Sequence, residues 1–197
     1  MIDKTLTSCA EAVADIFDGA TVMIGGFGTA GMPDALIDAL IEQGARGLTI
    51  VNNNAGNGET GLAALIKHKR VRRIVCAVPR QADSQQFDAA YRAGEIELEL
   101  VPQGNLAARI HAAGSGLGAI FTPTGYGTEL AAGKETREID GRHYVLEYPL
   151  HADFALIKAD RGDRWGNLVY RKTARNSGPM MAMAARCAIV QVREVVA

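Results

Sequence analysis

A glycine-rich turn is the segment of this sequence best suited to binding a ligand. The turn follows an apolar run at 21–24 and precedes an amphipathic segment that Pro33 opens. Backbone N–H groups in such a turn, together with the positive end of a helix dipole, favour an anion. Glycine also lets a ligand lie against the backbone, because no Cβ occupies that space. We therefore expect a binding site formed by Gly25, Gly26, Phe27, Gly28, Thr29, Ala30 and Gly31.

The same turn fits the G-x-G-x-x-G pattern of dinucleotide-binding folds. Those folds also place an acid about 20 residues further on, at the end of the second strand, where it binds the ribose. Here the second apolar run, at 48–51, is followed by Asn52, and no Asp or Glu occurs between Glu42 and Glu59. An NAD(P)-binding oxidoreductase is therefore the weaker interpretation of the glycine pattern and stays open as an alternative.

Amide side chains follow two further predicted strands. Asn53 and Asn54 follow the strand at 48–52, and Gln103 follows the strand at 96–101. Ligands of open α/β sheets bind outside the carboxyl ends of the strands, and each amide can donate two N–H bonds to a carboxylate or carbonyl oxygen. Neutral donors suit an acid that must bind and then react. A Lys or Arg would pair with the carboxylate, stabilise it and so lower its reactivity. The alternative role for these side chains is local capping of turns.

Strand and helix patterns alternate along the chain and predict an α/β fold. Apolar runs predict strands at 21–24, 48–52, 72–78, 96–101, 118–122, 144–148, 154–159 and 187–193. Helical periodicity predicts helices at 4–17, 34–43, 59–68, 83–92, 105–112 and 179–185. Because several strands are apolar throughout, we expect one open, mainly parallel sheet with helices on both faces. The run at 95–100 alternates instead, which indicates an edge strand or one wet face.

Composition narrows the class of protein. The 197 residues have a net charge of −1, with 48% hydrophobic and 22% charged residues, so neither nucleic acid nor a membrane is an expected partner. No apolar run approaches the roughly 18 residues of a membrane span. Three dispersed cysteines favour a reducing cytoplasm, and four histidines without ligand spacing give no reason to expect a metal. We expect one domain over residues 1–197.

Several blocks of the sequence resemble, in order, those of the α (A) subunit of family I coenzyme A transferases. They lie at 18–33, 53–56, 101–106, 122–128, 166–170 and 174–176. The variant at 53–61, together with 79–84, is most similar to the branch of the family that acts on 3-oxoadipate. Several blocks in order are more specific than one glycine pattern. Members of this kind run somewhat further than Ala197, so we expect a C-terminal tail to be absent here.

The resemblance implies where the ligands bind. It assigns the turn from Gly25 to Gly31 to coenzyme A. It gives Asn54 and Gln103 a role in holding the acyl group, with Asn53 as the neighbouring candidate. The implied ligands are an acyl-CoA and a 3-oxo acid, and coenzyme A is carried on the substrates, so no permanently bound cofactor is expected.

The resemblance also implies a protein partner. In the family a glutamate attacks the acyl-CoA thioester and becomes a glutamyl-CoA thioester; this glutamate precedes Asn-Gly in the β subunit. None of the eleven glutamates in this chain is followed by Asn. We therefore expect no catalytic nucleophile here, and a partner β subunit in an αβ or α2β2 assembly. The implied reaction moves CoA from succinyl-CoA to 3-oxoadipate.

Three alternatives remain open at this point. The same type of subunit can act on acetoacetate or acetate rather than 3-oxoadipate. The glycine pattern leaves an NAD(P)-binding oxidoreductase as a candidate from another class. A non-catalytic protein that senses acyl-CoA is the third.

Overall fold

Seven strands form the central sheet of the computed structural model, which describes residues 2–197. They are β1 (Thr21–Ile24), β2 (Leu48–Val51), β3 (Val71–Cys76), β4 (Glu97–Leu100), β8 (Ala152–Asp163), β9 (Leu168–Val169) and β10 (Ala185–Val196). The strand order is β10-β8-β1-β2-β3-β4, with every neighbouring pair parallel, and β9 pairs antiparallel with β8. The parallel strands therefore all end at the same edge of the sheet.

Helices cover both faces of this sheet. They are α1 (Cys9–Val13), α2 (Asp34–Gln43), α3 (Leu62–Lys67), α4 (Gln85–Arg92), α5 (Gln103–Gly114) and α6 (Gly178–Ala184). Successive side chains of a strand point to opposite faces. Val22 and Ile24 of β1 accordingly pack in a cluster with residues of α1 to α4, whereas Met23 packs in a second cluster with residues of α5 and α6. The prediction of a mainly parallel sheet covered on both faces is confirmed.

A second, smaller sheet was not predicted. It contains β5 (Ile120–Thr122), β6 (Thr136–Ile139) and β7 (Arg142–Glu147), in the antiparallel order β5-β7-β6. The predicted strands at 118–122 and 144–148 thus belong outside the parallel sheet. All four residues of β6 are exposed, so β6 carries no apolar pattern by which sequence could find it.

The first predicted helix is wrong in length. Sequence periodicity suggested 4–17, but the helix covers only Cys9–Val13. Its start is set by Ser8, whose Oγ accepts a hydrogen bond from the Glu11 backbone N–H at 3.1 Å. A serine in this capping position favours a helix that begins immediately after it. Leu6 and Phe17, which fall inside the predicted helix but outside the observed one, are both more than half exposed.

The other helices lie close to their predicted positions. The segment Asp34–Gln43 matches the prediction, whereas α5 begins two residues earlier than expected, at Gln103. The alternating segment near residue 97 forms β4 at one end of the strand order, as its pattern indicated. Within residues 2–197, no helix combines the length and apolar character needed to cross a membrane.

Candidate functional site at the carboxyl edge of the sheet

The glycine turn begins where β1 ends, and much of its backbone is already hydrogen-bonded. The Gly25 N–H donates to the Leu156 carbonyl at 2.8 Å, which extends the pairing of β1 with β8. Phe27 and Ala30 exchange backbone hydrogen bonds of 3.0 and 3.2 Å, which closes the tip of the turn. Among the described residues, the N–H groups of Gly28, Thr29 and Gly31 meet no protein acceptor. Three amides are thus available to a ligand, fewer than the sequence suggested.

Two glycines of this turn differ in what surrounds them. Gly31 has φ +78°, and a Cβ there would collide with the Ala174 carbonyl oxygen and the Asn176 side-chain nitrogen. Gly28 has φ +60°, yet a Cβ there would meet nothing within 4 Å. Glycine at 31 therefore allows two segments of the protein to pack together. Gly28 lies at the open tip, where a ligand can approach the backbone.

The start of α2 contributes less free positive charge than the sequence suggested. Pro33 occupies the N-cap position without a side-chain cap, but the Ala35 N–H donates to the Gln191 side-chain oxygen at 3.2 Å. Asp34 lies in the first turn of the helix, where its carboxylate interacts favourably with the dipole. The carboxylate also lies 3.9 Å from the Lys158 ammonium group. A bound anion would therefore share this helix end with an acidic side chain.

Asn52 links the ends of two neighbouring strands. Its side chain is fully buried, and its Nδ2 donates to the Ile24 carbonyl at 2.5 Å, at the end of β1. Its Oδ1 accepts a hydrogen bond from the Asn54 N–H at 2.9 Å. Asn52 therefore uses both ends of its amide inside the protein and holds the glycine turn against the residues that follow β2.

Asn54 retains one unused donor. The residue is 1% exposed, and its Oδ1 accepts the Gly56 N–H at 2.9 Å, but its Nδ2 has no hydrogen-bond partner within residues 2–197. A buried N–H without an acceptor is costly and calls for a ligand or a water. The predicted role of Asn54 as a donor to a substrate is compatible with this geometry.

The structure brings Asn53 and Gln103 together across 50 residues of sequence. The Gln103 Nε2 donates to the Asn53 Oδ1 at 2.9 Å. Gln103 is the first residue of α5, with Pro102 before it, whereas the predicted helix began only at residue 105. Asn53 has an unused Nδ2 and Gln103 an unused Oε1 within the described chain. The two predicted substrate residues therefore form one connected polar surface beside Asn54.

Sequence reasoning missed a buried carboxylate near this surface. Glu147, at the end of β7, is 3% exposed. Its Oε1 accepts hydrogen bonds from Asn105 at 2.8 Å and from Lys134 at 2.7 Å. The Asn105 Nδ2 also donates to the Thr124 carbonyl at 3.1 Å. This cluster fastens the small sheet to α5 two residues beyond Gln103, and no local sequence pattern marks Glu147 as buried.

Two titratable side chains near this edge of the sheet, Cys76 and Glu99, have pKa values that the fold shifts. Burial raises the pKa of the Cys76 thiol to about 12, so the thiol stays neutral and is a poor nucleophile. Burial also raises the pKa of Glu99, but hydrogen bonds and charge from Arg109 and Arg73 outweigh it, and the net pKa is lowered. Among residues 2–197, no group of three or more His, Cys, Asp and Glu side chains is arranged to hold a metal ion.

A shallow cavity of about 480 Å³ lies away from these residues. It is lined by Thr21, His151 and Arg186, among others. Thr21 begins β1, whereas the glycine turn follows the end of that strand. The cavity therefore opens at the opposite edge of the sheet and includes none of the predicted ligand-binding residues.

This chain belongs to the coenzyme A transferase family. The family model described as "Coenzyme A transferase" matches residues 6–197, nearly the whole chain. The match agrees with the resemblance carried by the sequence blocks, and it favours acyl-CoA chemistry over the nicotinamide interpretation of the glycine pattern.

Relatives with high identity carry names from the same family. The chain is 71% identical over 196 residues to a Pseudomonas putida protein named as the A subunit of 3-oxoadipate CoA-transferase, covering 100% of this chain and 85% of that protein. An Acinetobacter baylyi protein of the same name is 66% identical, covering 100% and 86%. The A subunit of a Xanthomonas campestris succinyl-CoA:3-ketoacid coenzyme A transferase is 51% identical, covering 98% and 79%.

Solved structures share the fold at lower identity. Glutaconate coenzyme A-transferase from Acidaminococcus fermentans matches with a TM-score of 0.82 at 20% identity, covering 96% of this chain and 67% of that one. A point variant of the decarboxylase AibA/AibB matches with a TM-score of 0.85 at 28% identity, covering 100% and 77%. Because one of these proteins is named a transferase and the other a decarboxylase, the fold alone does not specify the reaction.

Proposed function

We propose that this chain is the α subunit of a heteromeric CoA transferase that moves CoA from succinyl-CoA to 3-oxoadipate. One observation carries the choice of acceptor. Identity reaches 71% and 66% with relatives named for 3-oxoadipate, but only 51% with a relative named for 3-keto acids. Acetoacetate is the second candidate acceptor, because it is a 3-keto acid and the third relative is named for 3-keto acids.

The site supports binding of a thioester and a free acid without a charged clamp. We assign the free N–H groups of the glycine turn, Gly28 and Thr29 at its tip and Gly31 just after it, to the coenzyme A moiety. Asn54 supplies a buried N–H for the acyl oxygen, and the linked pair Asn53 and Gln103 completes the polar surface. Such neutral donors stabilise a developing oxyanion without making a bound carboxylate unreactive.

The proposed reaction proceeds through covalent steps on the partner. In the β subunit, a glutamate attacks the thioester carbonyl of succinyl-CoA and expels the CoA thiolate, which leaves a mixed anhydride. The thiolate then attacks the glutamyl carbonyl of the anhydride and releases succinate, which leaves a glutamyl-CoA thioester. The acceptor 3-oxoadipate repeats both steps in reverse and leaves as 3-oxoadipyl-CoA. A site closed between two subunits excludes water from both intermediates.

Further properties belong to the same proposal. We propose that residues 1–197 act as one domain, which is supported by hydrophobic clusters on both faces of a single sheet. We also propose a cytoplasmic location, no permanently bound cofactor, and an αβ or α2β2 assembly with the β subunit. The absence of a nucleophilic glutamate in the expected sequence context supports the need for a partner.

Co-expression with the β subunit tests this proposal. The purified complex is assayed for 3-oxoadipyl-CoA formation from succinyl-CoA, with acetoacetate and acetate as competing acceptors and the separate chain as control. We expect transfer by the complex, none by the separate chain, and the highest kcat/KM with 3-oxoadipate. Transfer by the chain alone would contradict the division of roles, and a preference for acetoacetate would overturn the choice of acceptor.

A further inference from the structure

Asn176 holds the glycine turn from a distant part of the sequence. Its Oδ1 accepts the Gly26 N–H at 3.2 Å, and its Nδ2 donates to the Ala30 carbonyl at 3.0 Å. These partners lie 150 and 146 residues earlier in the chain, on the two sides of the tip of the turn. One side chain thus joins the ascending and descending halves of the turn.

The same side chain also secures its own segment. The Asn176 Nδ2 donates to the Ala174 carbonyl at 3.0 Å, and Oδ1 accepts the Ser177 N–H at 2.7 Å. Both ends of one amide therefore bond to the turn and to the segment that carries Asn176. An aspartate would keep the acceptor but would turn an oxygen towards the Ala30 and Ala174 carbonyls.

The backbone of Asn176 is in an unfavourable conformation. Its φ is +28° and its ψ is −125°, and Lys172, four residues before it, has φ +51°. Residues with a Cβ rarely adopt positive φ, and such strain persists only where the surroundings impose it. Residue 31 is a glycine at this contact, and a Cβ there would collide with the Asn176 side chain. The segment that carries Asn176 is therefore held in place against the turn.

We propose that Asn176 is a positioning residue for coenzyme binding. It fixes the separation of Gly26 and Ala30, so the free N–H groups of Gly28 and Thr29 between them keep one orientation toward the ligand. This role rests on the proposed function, because it assigns the tip of the turn to coenzyme A. Asn176 touches no reacting atom in this role; it acts through the shape of the turn.

Two variants test the role of Asn176. Asn176→Gly removes all four side-chain hydrogen bonds and relieves the positive φ, so backbone strain does not add to its effect. Asn176→Asp keeps the acceptor for Gly26 and loses both donations. The matched control is Asn167→Ala, because the exposed Asn167 donates to Asp163 at 2.8 Å in the hairpin that joins β8 and β9. Each variant is prepared in complex with the second subunit.

Steady-state kinetics provide the first measurement. We expect Asn176→Gly to raise KM for succinyl-CoA about tenfold with kcat changed less than about threefold, and Asn176→Asp to raise KM about threefold. Asn167→Ala should leave KM within about twofold even if its melting temperature falls. If both Asn176 variants keep the KM of the unchanged complex, Asn176 has no positioning role.

Amide hydrogen exchange provides a measurement independent of activity. In the unchanged chain the Gly26 amide should be protected, and in Asn176→Gly we expect it to exchange at least about tenfold faster, whereas Asn167→Ala leaves it unchanged. Equal exchange in all three proteins would overturn the proposal. If the unchanged complex shows no CoA transfer, the proposed function fails, while faster Gly26 exchange still supports the hold of Asn176 on the turn.

Discussion

The glycine turn and the asparagine row, residues 52–54, follow neighbouring strands yet offer hydrogen bonds in different ways. The turn uses backbone groups, is open at Gly28, and is shaped from outside by Asn176. The row uses side chains, is mostly buried, and is fixed by its own amides, with one donor of Asn54 left over. The turn should therefore be sensitive to added volume and the row to lost hydrogen bonds.

The largest expected effect is on catalysis and concerns Asn54. Asn54→Asp keeps the acceptor for Gly56 but replaces the free N–H by an oxygen, so a developing oxyanion loses its donor. We expect kcat/KM of the complex to fall about 100-fold, or about 2.7 kcal/mol.

Asn57→Asp is the matched control, because the same change is made three residues on at an exposed position. This control should lower kcat/KM less than about threefold. If Asn54→Asp is folded by circular dichroism and equally active, the row does not hold the acyl group.

The next effect concerns volume in the glycine turn. Gly31→Ala forces a Cβ against Ala174 and Asn176 at a positive φ, so we expect the free energy of unfolding to fall by about 3 kcal/mol. Gly28→Ala also introduces a Cβ at a positive φ, but into open space, and should cost only about 1 kcal/mol. Urea denaturation measures both. Equal losses would mean that the contact with the 174–176 segment does not stabilise the turn.

A smaller effect is expected for lost hydrogen bonds inside the asparagine row. Asn52→Ala leaves the buried Ile24 carbonyl and the Asn54 N–H without their partner, and should cost about 2 kcal/mol of unfolding free energy. Asn53→Ala removes a bond to the exposed Gln103 and should cost about 0.5 kcal/mol. A comparison of their urea midpoints decides the order; a larger loss for Asn53 would contradict the burial argument.

A smaller effect than that of Asn52→Ala is electrostatic and lies outside both regions. Neither residues 25–31 nor 52–54 include a titratable side chain, so acid-dependent stability must come from elsewhere. Because the pKa of Glu99 is lowered by folding, its contribution is complete above about 4.5 and disappears as pH falls through the folded pKa. Glu99→Gln should cost about 1 kcal/mol at pH 7.

The same substitution should have a smaller effect at low pH. Denaturation curves of both proteins at pH 7 and at about pH 3 measure the difference. A constant difference between the two proteins would show that the ion pairs of Glu99 with Arg109 and Arg73 do not contribute to stability.

Local sequence rules predicted the elements that depend only on nearby residues. The strand at Thr21–Ile24 and the helix at Asp34–Gln43 were both found at their expected bounds. The first helix was predicted too long because the apolar spacing begins before the Ser8 cap and continues after Val13. Strand β6 was missed because its residues are exposed. Both errors arise because the spacing of apolar residues in the sequence does not match which residues are buried in the fold.

The sequence by itself determined the parallel sheet, the glycine turn and the amide side chains at the strand ends, because apolar runs, glycines and amides act through local geometry. Only the tertiary structure decided which of those groups remain free. Asn52 and Asn54 have the same side chain, yet one is fully bonded and the other keeps a buried donor. That difference, like the contact of Asn176 with Gly26, depends on segments that are far apart in the chain and meet only after folding.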